Sequence, residues 1–248
     1  MACIILKILL YNNMSKKDKV EIPQLKLTFK VNNLRLTEKQ KIFLALALQE
    51  ETNIMFVSGP AGSTKTYMAV YAALRHLSAD DDLDMFYVRT VIESADKGLG
   101  ALPGSVEEKI NPYMAPLEDK LMEMLPQNKT VRRELIDSGR IQAMPINFLR
   151  GASWKDKVVV ADEAQNFTFK ELTTLITRLG HNSKLFICGD FMQSDINGKS
   201  GYADMFNLFK DQESQDNGIH CFSFNKNDIL RSELQKYIIG KLEDNYKK

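Results

Sequence analysis

The sequence predicts an α/β protein in which helices cover both faces of one mostly parallel β-sheet. Short apolar segments at residues 54–57, 157–161 and 185–188 have the length of strands, and such runs are typical of strands buried on both faces. Longer segments with apolar residues at helical spacing lie between them. Strands that alternate with helices in this way form parallel sheets through right-handed crossovers.

The elements are predicted in order from the amino end. Thr37 is a suitable N-cap for a helix over residues 37–50, and the strand at 54–57 leads into a glycine-rich loop that a second helix follows to about residue 77. No internal repeat and no linker divides the chain into two domains. The further predicted strands cover residues 85–88, 141–145, 157–161, 185–188 and 221–224, and the further helices cover 105–125, 129–138, 168–179 and 227–245.

The composition is that of an ordinary globular protein. Of the 248 residues, 44% are hydrophobic and 26% are charged, and the net charge is only +1. A global electrostatic attraction to nucleic acid is therefore excluded, so any such binding must use local patches. The three cysteines, Cys3, Cys188 and Cys221, lack metal-ligand spacing and are expected to be reduced thiols of a cytoplasmic protein.

The amino-terminal segment is expected to be an arm. Its apolar run at residues 4–10 is far shorter than the ~20 residues that span a bilayer, and no cleavage site follows, so no membrane insertion is expected. Met14 begins a polar, lysine-rich stretch that looks like a natural start. We therefore expect residues 1–34 to form an arm, with 1–13 loose or an upstream translation product, and residues 35–248 to form the folded domain.

A glycine-rich loop between a buried strand and a helix is the strongest chemical signal in the chain. Backbone N–H groups in such a loop cradle the β- and γ-phosphates of a nucleoside triphosphate. Lys65 supplies positive charge to these phosphates, and the Thr66 hydroxyl is suited to ligate Mg2+. The residues predicted to bind the nucleotide here are Gly59, Pro60, Ala61, Gly62, Ser63, Thr64, Lys65 and Thr66.

One position of the loop departs from the usual pattern. Thr64 stands where glycine normally precedes the lysine. A Cβ at this position is expected to crowd the phosphates or to shift the loop, because glycine alone adopts every backbone conformation at no steric cost. Binding of nucleotide with slow hydrolysis is the expected result.

Two carboxylates follow the apolar strand that ends at Ala161. Asp162 is predicted to hold the metal, and Glu163 is predicted to orient or deprotonate the attacking water. Gln165 is placed to sense the γ-phosphate. The next strand also ends in an acid, Asp190, and Gln193 behind it is predicted to hydrogen-bond the γ-phosphate or the water.

These motifs resemble the first motor domain of superfamily 1 helicases and, more closely, the PhoH family of phosphate-starvation-associated ATPases. The resemblance spans roughly residues 35–240 and implies a P-loop NTPase of RecA-like type that uses ATP and Mg2+. It also implies that Gln40 reads adenine. The residues that carry it are Gln40, Gly59 to Gly62, Arg89, Thr90, Glu93, Lys97, Leu102 to Gly104, Asn111 to Tyr113, Arg150, Gly151, Asp162 to Asn166, Thr177 to Gly180, Gly189, Asp190, Gln193, Asp195 and Asp228 to Arg231.

Two departures from the family pattern have consequences. Thr64 is similar to variants of the loop in bacteriophage members, which implies a viral source and a host cytoplasm as location. Ala152 stands where many relatives have a second basic residue after Arg150-Gly151. A complete arginine clamp is therefore not expected in that loop.

The resemblance also predicts an oligomer. A helicase motor receives an arginine from a second domain, and no second motor domain fits in this length. Arg178 and Arg231 are the predicted catalytic arginines, and each is expected to reach a phosphate either across a subunit interface or within its own subunit. The family resemblance implies a ring-shaped homo-hexamer, a closed heterologous assembly.

The resemblance implies single-stranded RNA as a partner. The basic clusters include Lys16-Lys17-Lys19 and Arg132-Arg133, with Phe29 and Tyr113 as candidate base-stacking side chains and Trp154 expected in the core. Three hypotheses stay open at this point: an ATP-hydrolysing motor linked to RNA, a nucleotide-dependent RNA-binding module with little turnover, and a ribonuclease that uses the same acids.

Overall fold

A computed structural model describes residues 29–90, 106–125, 129–146, 154–194, 196, 198–230 and 232–246. These residues contain one six-stranded sheet with the order β3-β2-β4-β5-β1-β6, and each pair of neighbouring strands is parallel. The prediction of an α/β fold with a mostly parallel sheet is confirmed. The strands are β1 (Ile54–Ser58), β2 (Asp84–Arg89), β3 (Ile141–Pro145), β4 (Lys157–Ala161), β5 (Lys184–Gly189) and β6 (Ile219–Ser223).

The helices alternate with the strands as predicted, and the bounds differ by a few residues. Two short helices, α6 (Tyr202–Leu208) and α7 (Gln212–Asp216), were not predicted, because a five- to seven-residue helix carries little periodic signal. The last helix begins later than predicted, since Lys226–Asp228 forms a separate 3-10 turn. The helices are α1 (Glu38–Ala47), α2 (Lys65–Ala79), α3 (Val106–Met124), α4 (Lys129–Asp137), α5 (Phe169–Ile176), α6 (Tyr202–Leu208), α7 (Gln212–Asp216) and α8 (Glu233–Tyr246).

The sheet has a hydrophobic core on each face. In β4, Val158 and Val160 belong to the core on the side of α1 to α4, whereas Val159 and Ala161 belong to the core on the side of α5 and α6. This alternation follows from the two-residue period of a strand. Both faces of the central strands are thus buried, and their polar groups can meet a ligand only at the strand ends.

Two side chains predicted to stack on bases lie in the core instead. Phe29 is 7% exposed and Tyr113 is 9% exposed, and both pack in the core beside α2 and α3. The prediction was wrong because burial depends on distant contacts. Trp154 is 2% exposed, as expected for a core residue.

The described end of the predicted arm belongs to the folded domain. Within residues 29–34, Val31 and Leu34 pack against the core, and the backbone N–H of Asn32 donates to Met124 O at 2.8 Å. The described part of the predicted arm thus packs on the folded domain. Residues 1–28, which hold Met14, Cys3 and most of the amino-terminal lysines, lie outside the described residues.

Cys188 and Cys221 are free thiols, and Cys188 is buried. A search of the described part of the chain finds no helix that is both long and apolar enough to cross a membrane.

Candidate active site

The carboxyl ends of three neighbouring strands form one edge of the sheet. β5 lies between β1 and β4, with Ser58 in register with Gly189 and Ala161 in register with Ile187. The loops that follow these strands therefore meet, as the sequence predicts for ligand binding at such an edge. They line a cleft of about 590 Å³. Its described lining residues are Ala61, Gly62, Thr64, Lys65, Thr66, Tyr67, Arg89, Pro116, Lys120, Glu123, Asp162, Glu163, Gln165, Cys188, Gly189, Asp190, Gln193 and Leu230.

The loop between β1 and α2 needs its glycines. A Cβ on Gly59 would lie 2.7 Å from Ser63 Oγ and 2.9 Å from Phe224 Cβ, so a side chain cannot fit there. Gly62 has φ +78°, a left-handed conformation that costs glycine little. The Ser63 hydroxyl donates to Pro60 O at 2.8 Å and braces the turn. The loop is thus a tight nest that opens directly onto the N-terminus of α2.

Lys65 holds its ammonium group inside this loop. Nζ donates to Gly59 O at 2.6 Å and to Pro60 O at 2.9 Å. Burial lowers the pKa of Lys65, while the carboxylates of Asp190, Glu163 and Asp162 act in the opposite direction. A bound phosphate would add negative charge beside the ammonium group and favour its charged form.

Asp162 is the most strongly held side chain of the cleft. It is 5% exposed and accepts hydrogen bonds from the Thr66 hydroxyl at 2.5 Å, from the Tyr87 hydroxyl and from the Glu163 N–H at 3.0 Å. Burial raises the pKa of Tyr87, and the charge of Asp162 raises it further. The carboxylate is therefore fixed in orientation by donors from α2, β2 and its own turn.

The Thr66 and Asp162 oxygens fit the metal that the sequence predicts. A hydroxyl and a carboxylate side by side are hard oxygen ligands of the kind that Mg2+ prefers. In nucleotide sites Mg2+ takes one or two protein oxygens and completes its shell with phosphates and water. Thr66 and Asp162 are the residues that would hold it, and when bound it would neutralise charge on the terminal phosphates.

Gln165 links the two acidic loops. Its Nε2 donates to Glu163 Oε2 at 2.6 Å, and its Oε1 accepts from the Asp190 N–H at 3.0 Å. Glu163 has φ +55°, a left-handed conformation that is uncommon for a residue other than glycine and is typical of functional sites. The carboxylate of Glu163 thus depends on a strained turn and on an amide that also contacts the end of β5.

Arg89 is a residue of the cleft that the sequence did not predict as a site residue. Its Nε lies 3.7 Å from Asp162 Oδ2, and its Nη2 lies 3.5 Å from Glu163 Oε1. Its position at the carboxyl end of β2 was the available signal, since the acids occupy the same position after β4. Helix α3 adds Lys120 and Glu123 to the wall of the cleft, and no motif marks them.

The other predicted residues are not all in the cleft. Gln193 is exposed and lines it, but Gln40 is 3% exposed and is not a lining residue. Arg178 lies at the opposite edge of the sheet, where its carbonyl accepts from the Trp154 N–H just before β4. Its backbone thus lies near the amino end of β4, whereas the cleft lies at the carboxyl ends of the strands. The positions Arg231, Glu93, Lys97, Arg150, Ala152 and Asp195 lie outside the described residues.

The phosphate loop after β1, the acids after β4 and β5, and the order of the strands are together those of a P-loop NTPase with a RecA-like sheet. A sequence model of the PhoH-like protein family matches residues 34–243, most of the chain. The chain belongs to this family. The resemblance drawn from the motifs is confirmed.

Several curated relatives carry the same family name. The chain is 35% identical over 196 residues to a PhoH-like protein of Bacillus subtilis, covering 78% of this chain and 59% of that protein. It is 32% identical over 187 residues to protein PhoH of Escherichia coli K12, and the match covers 75% of this chain and 51% of that protein. The chain therefore spans about half to three fifths of the length of the relatives it matches.

Solved helicase structures are more distant. The Pif1 helicase of Candida albicans is 15% identical with a TM-score of 0.39, covering 78% of this chain and 40% of that one. A Bacteroides Pif1 in complex with ADP-AlF4 is 15% identical with a TM-score of 0.36, and the match covers 82% of this chain and 44% of that one.

Lys65→Ala should weaken nucleotide binding by about tenfold or more, because the variant loses the charged group of the loop and each decade corresponds to ~1.4 kcal/mol. Titration with a fluorescent ATP analogue measures the effect. Lys41→Ala is the matched control, since Lys41 is an exposed lysine on α1 paired with Glu38. Unchanged affinity in the Lys65 variant would sink the assignment of this loop to phosphate binding.

Glu163→Gln should retain nucleotide and lower turnover by about a hundredfold or more, because the amide keeps the shape but cannot act as a base. Affinity and phosphate release are measured on the same preparation. Glu134→Gln on the exposed side of α4 is the control and should change neither. If binding and turnover fell together, Glu163 would hold the metal or the turn instead of the water.

Proposed function

We propose that this protein hydrolyses ATP with Mg2+ and that hydrolysis drives an oligomeric, RNA-linked motor. The observation that carries the ATPase part is the meeting of two motifs, in which the Thr66 hydroxyl bonds directly to Asp162, 96 residues further along the chain. Lys65 lies in the same cleft beside the same acids. A phosphate chain in this loop would therefore lie between the lysine and the metal-binding oxygens.

Each residue then has a separate task. Lys65 and the loop N–H groups bind and orient the terminal phosphates, and they stabilise the charge that grows on these phosphates during transfer. Glu163 aligns the water and takes its proton. Gln165 holds the Glu163 carboxylate in its orientation. Because Gln165 also accepts from the Asp190 N–H, a movement of Glu163 would be transmitted to the end of β5.

Arg89 must release one partner before Glu163 can act. Its guanidinium lies near both Asp162 and Glu163, so it competes with a metal ion for the first and with water for the second. Thr66 and Asp162 would hold a metal ion, and Arg89 would then be available to the negative charge of the phosphates. The cleft thus carries a cation of its own beside Lys65.

An oligomer would give the two predicted catalytic arginines, Arg178 and Arg231, a phosphate to contact in a neighbouring subunit. Arg178 lies at the edge of the sheet that faces away from its own cleft, so it can meet a phosphate only in a neighbouring subunit. Arg231 is proposed for the same task from its place between Leu230, which lines the cleft, and α8. A closed ring, with six subunits as the family resemblance implies, would repeat one heterologous interface.

Phosphate release with and without single-stranded RNA tests the motor. RNA should raise the rate of phosphate release several-fold, because the proposed motor couples hydrolysis to its contact with RNA. A rate that stays low and flat would favour a nucleotide-dependent binding module, and the left-handed Thr64 makes slow turnover physically reasonable. Shortening of the RNA in the same reaction, seen on a denaturing gel, would favour the ribonuclease.

Mixing two inactive variants tests the oligomer. Arg231→Ala should retain nucleotide but lose turnover, and Glu163→Gln should do the same for a different reason. Mixed oligomers would then regain part of the activity, since some interfaces combine an intact Glu163 with an intact Arg231. Native mass spectrometry shows whether mixed species are present, and a mixture that contains them but stays inactive would contradict an arginine acting in trans.

A further inference from the structure

The proposed reaction gives no task to Lys120, although its side chain lines the cleft. It lies in α3, and Pro116 and Glu123 of the same helix are also lining residues. The three residues are four and three positions apart, so they occupy one face of the helix. This face of α3 therefore forms one wall of the cleft and presents a cation to it.

The ammonium group of Lys120 has donors to spare. Nζ donates to Pro116 O at 2.8 Å, which uses one of its three N–H groups. No carboxylate of the described part of the chain forms an ion pair with it, and Glu123 on the same face is hydrogen-bonded to Tyr67 instead. Arg89, by contrast, lies near two acids. Unlike Arg89, Lys120 can therefore receive an anion without breaking an ion pair.

The order of the strands places α3 beyond the acids of the cleft. The edge of the sheet runs from the loop after β1, across the end of β5, to the acids after β4, and Arg89 at the end of β2 comes next. Helix α3 packs over β2 and β3. Leu230, which follows β6 and donates its N–H to Gly62 O in the loop, lies toward the other end. Lys120 thus approaches the cleft from the side of the acids.

The surroundings of Cys188 give a second indication of where the charge of Lys120 acts. Burial raises the pKa of this thiol at the end of β5 well above its usual value, and the charge of Asp162 raises it further. The charges of Lys65 and Lys120 both lower it. The two ammonium groups therefore act on the same region, the end of the strand that separates the phosphate loop from Asp162.

We infer that Lys120 binds the terminal phosphate of the nucleotide from the α3 side of the cleft. The inference rests on the proposed function and narrows it, because it assigns to α3 the recognition of a triphosphate as distinct from a diphosphate. A phosphate chain held by the loop after β1 extends toward Thr66 and Asp162, so its last phosphate lies nearest to α3. A diphosphate ends before this point and leaves the ammonium group without its charged partner. Lys120 is thus a specificity-determining residue of the cleft.

Displacement of a fluorescent ADP analogue by ATP and by ADP, each with Mg2+, tests the inference. Lys120→Met removes the charge and keeps an unbranched side chain, so the affinity for ATP should fall by about tenfold, the effect of one charged hydrogen bond. The affinity for ADP should change by less than about twofold, because solvent screens a charge that makes no contact. Lys120→Arg should stay within about threefold for both nucleotides, since arginine also pairs with phosphate. Lys170→Met, an exposed lysine of α5 outside the cleft, is the matched control and should change neither affinity.

Beryllium fluoride provides a readout that hydrolysis cannot disturb. It takes the place of the terminal phosphate beside bound ADP, so it should tighten ADP binding in the unmodified protein, and about tenfold less in Lys120→Met. Unchanged affinity for ATP in Lys120→Met, or equal losses for ATP and ADP, would overturn the inference and leave the proposed ATPase standing. Failure of the unmodified protein to bind either nucleotide would overturn the proposed function itself.

Discussion

The fixed orientation of the Asp162 carboxylate is the constraint on which the rest of the site depends. Hydroxyls from α2 and β2 and an N–H from its own turn hold it in place, and none of these donors is near it in the sequence except the last. An ionised group this deeply buried is tolerated only with such partners. Asp162 therefore keeps its partners only while β2 stays in this register with β4 and α2 stays in its position on the sheet.

The strand order explains why this carboxylate meets the phosphate loop at a useful distance. β5 separates β1 from β4 by one strand, which leaves room at the edge of the sheet for a phosphate chain between Lys65 and Asp162. Asp190, in the loop after β5, also lines this space, and its N–H donates to Gln165 Oε1. An occupant of the cleft would therefore contact the ends of three strands whose faces are buried on both sides.

Local patterns made most of the fold predictable, whereas distant partners did not show in the sequence. The strands at 141–145 and 157–161 have the predicted bounds because alternation and apolar runs are properties of neighbouring residues. Phe29 was misassigned to a binding surface because its burial depends on α2 and α3. Arg89 was missed because its partners are about seventy residues away. The bond between Gln40 and Thr64 was not predicted, because no local pattern reveals a contact between residues 24 positions apart.

The single tryptophan has a consequence for how this protein can be observed. Trp154 is buried at the amino edge of the sheet, and its backbone N–H donates to the carbonyl of Arg178. Intrinsic fluorescence excited at the indole therefore comes from one environment, remote from the nucleotide cleft. Emission from this residue would be insensitive to direct quenching by a bound base. A change in that emission on addition of nucleotide would therefore report a rearrangement within the fold, separate from contact with the base.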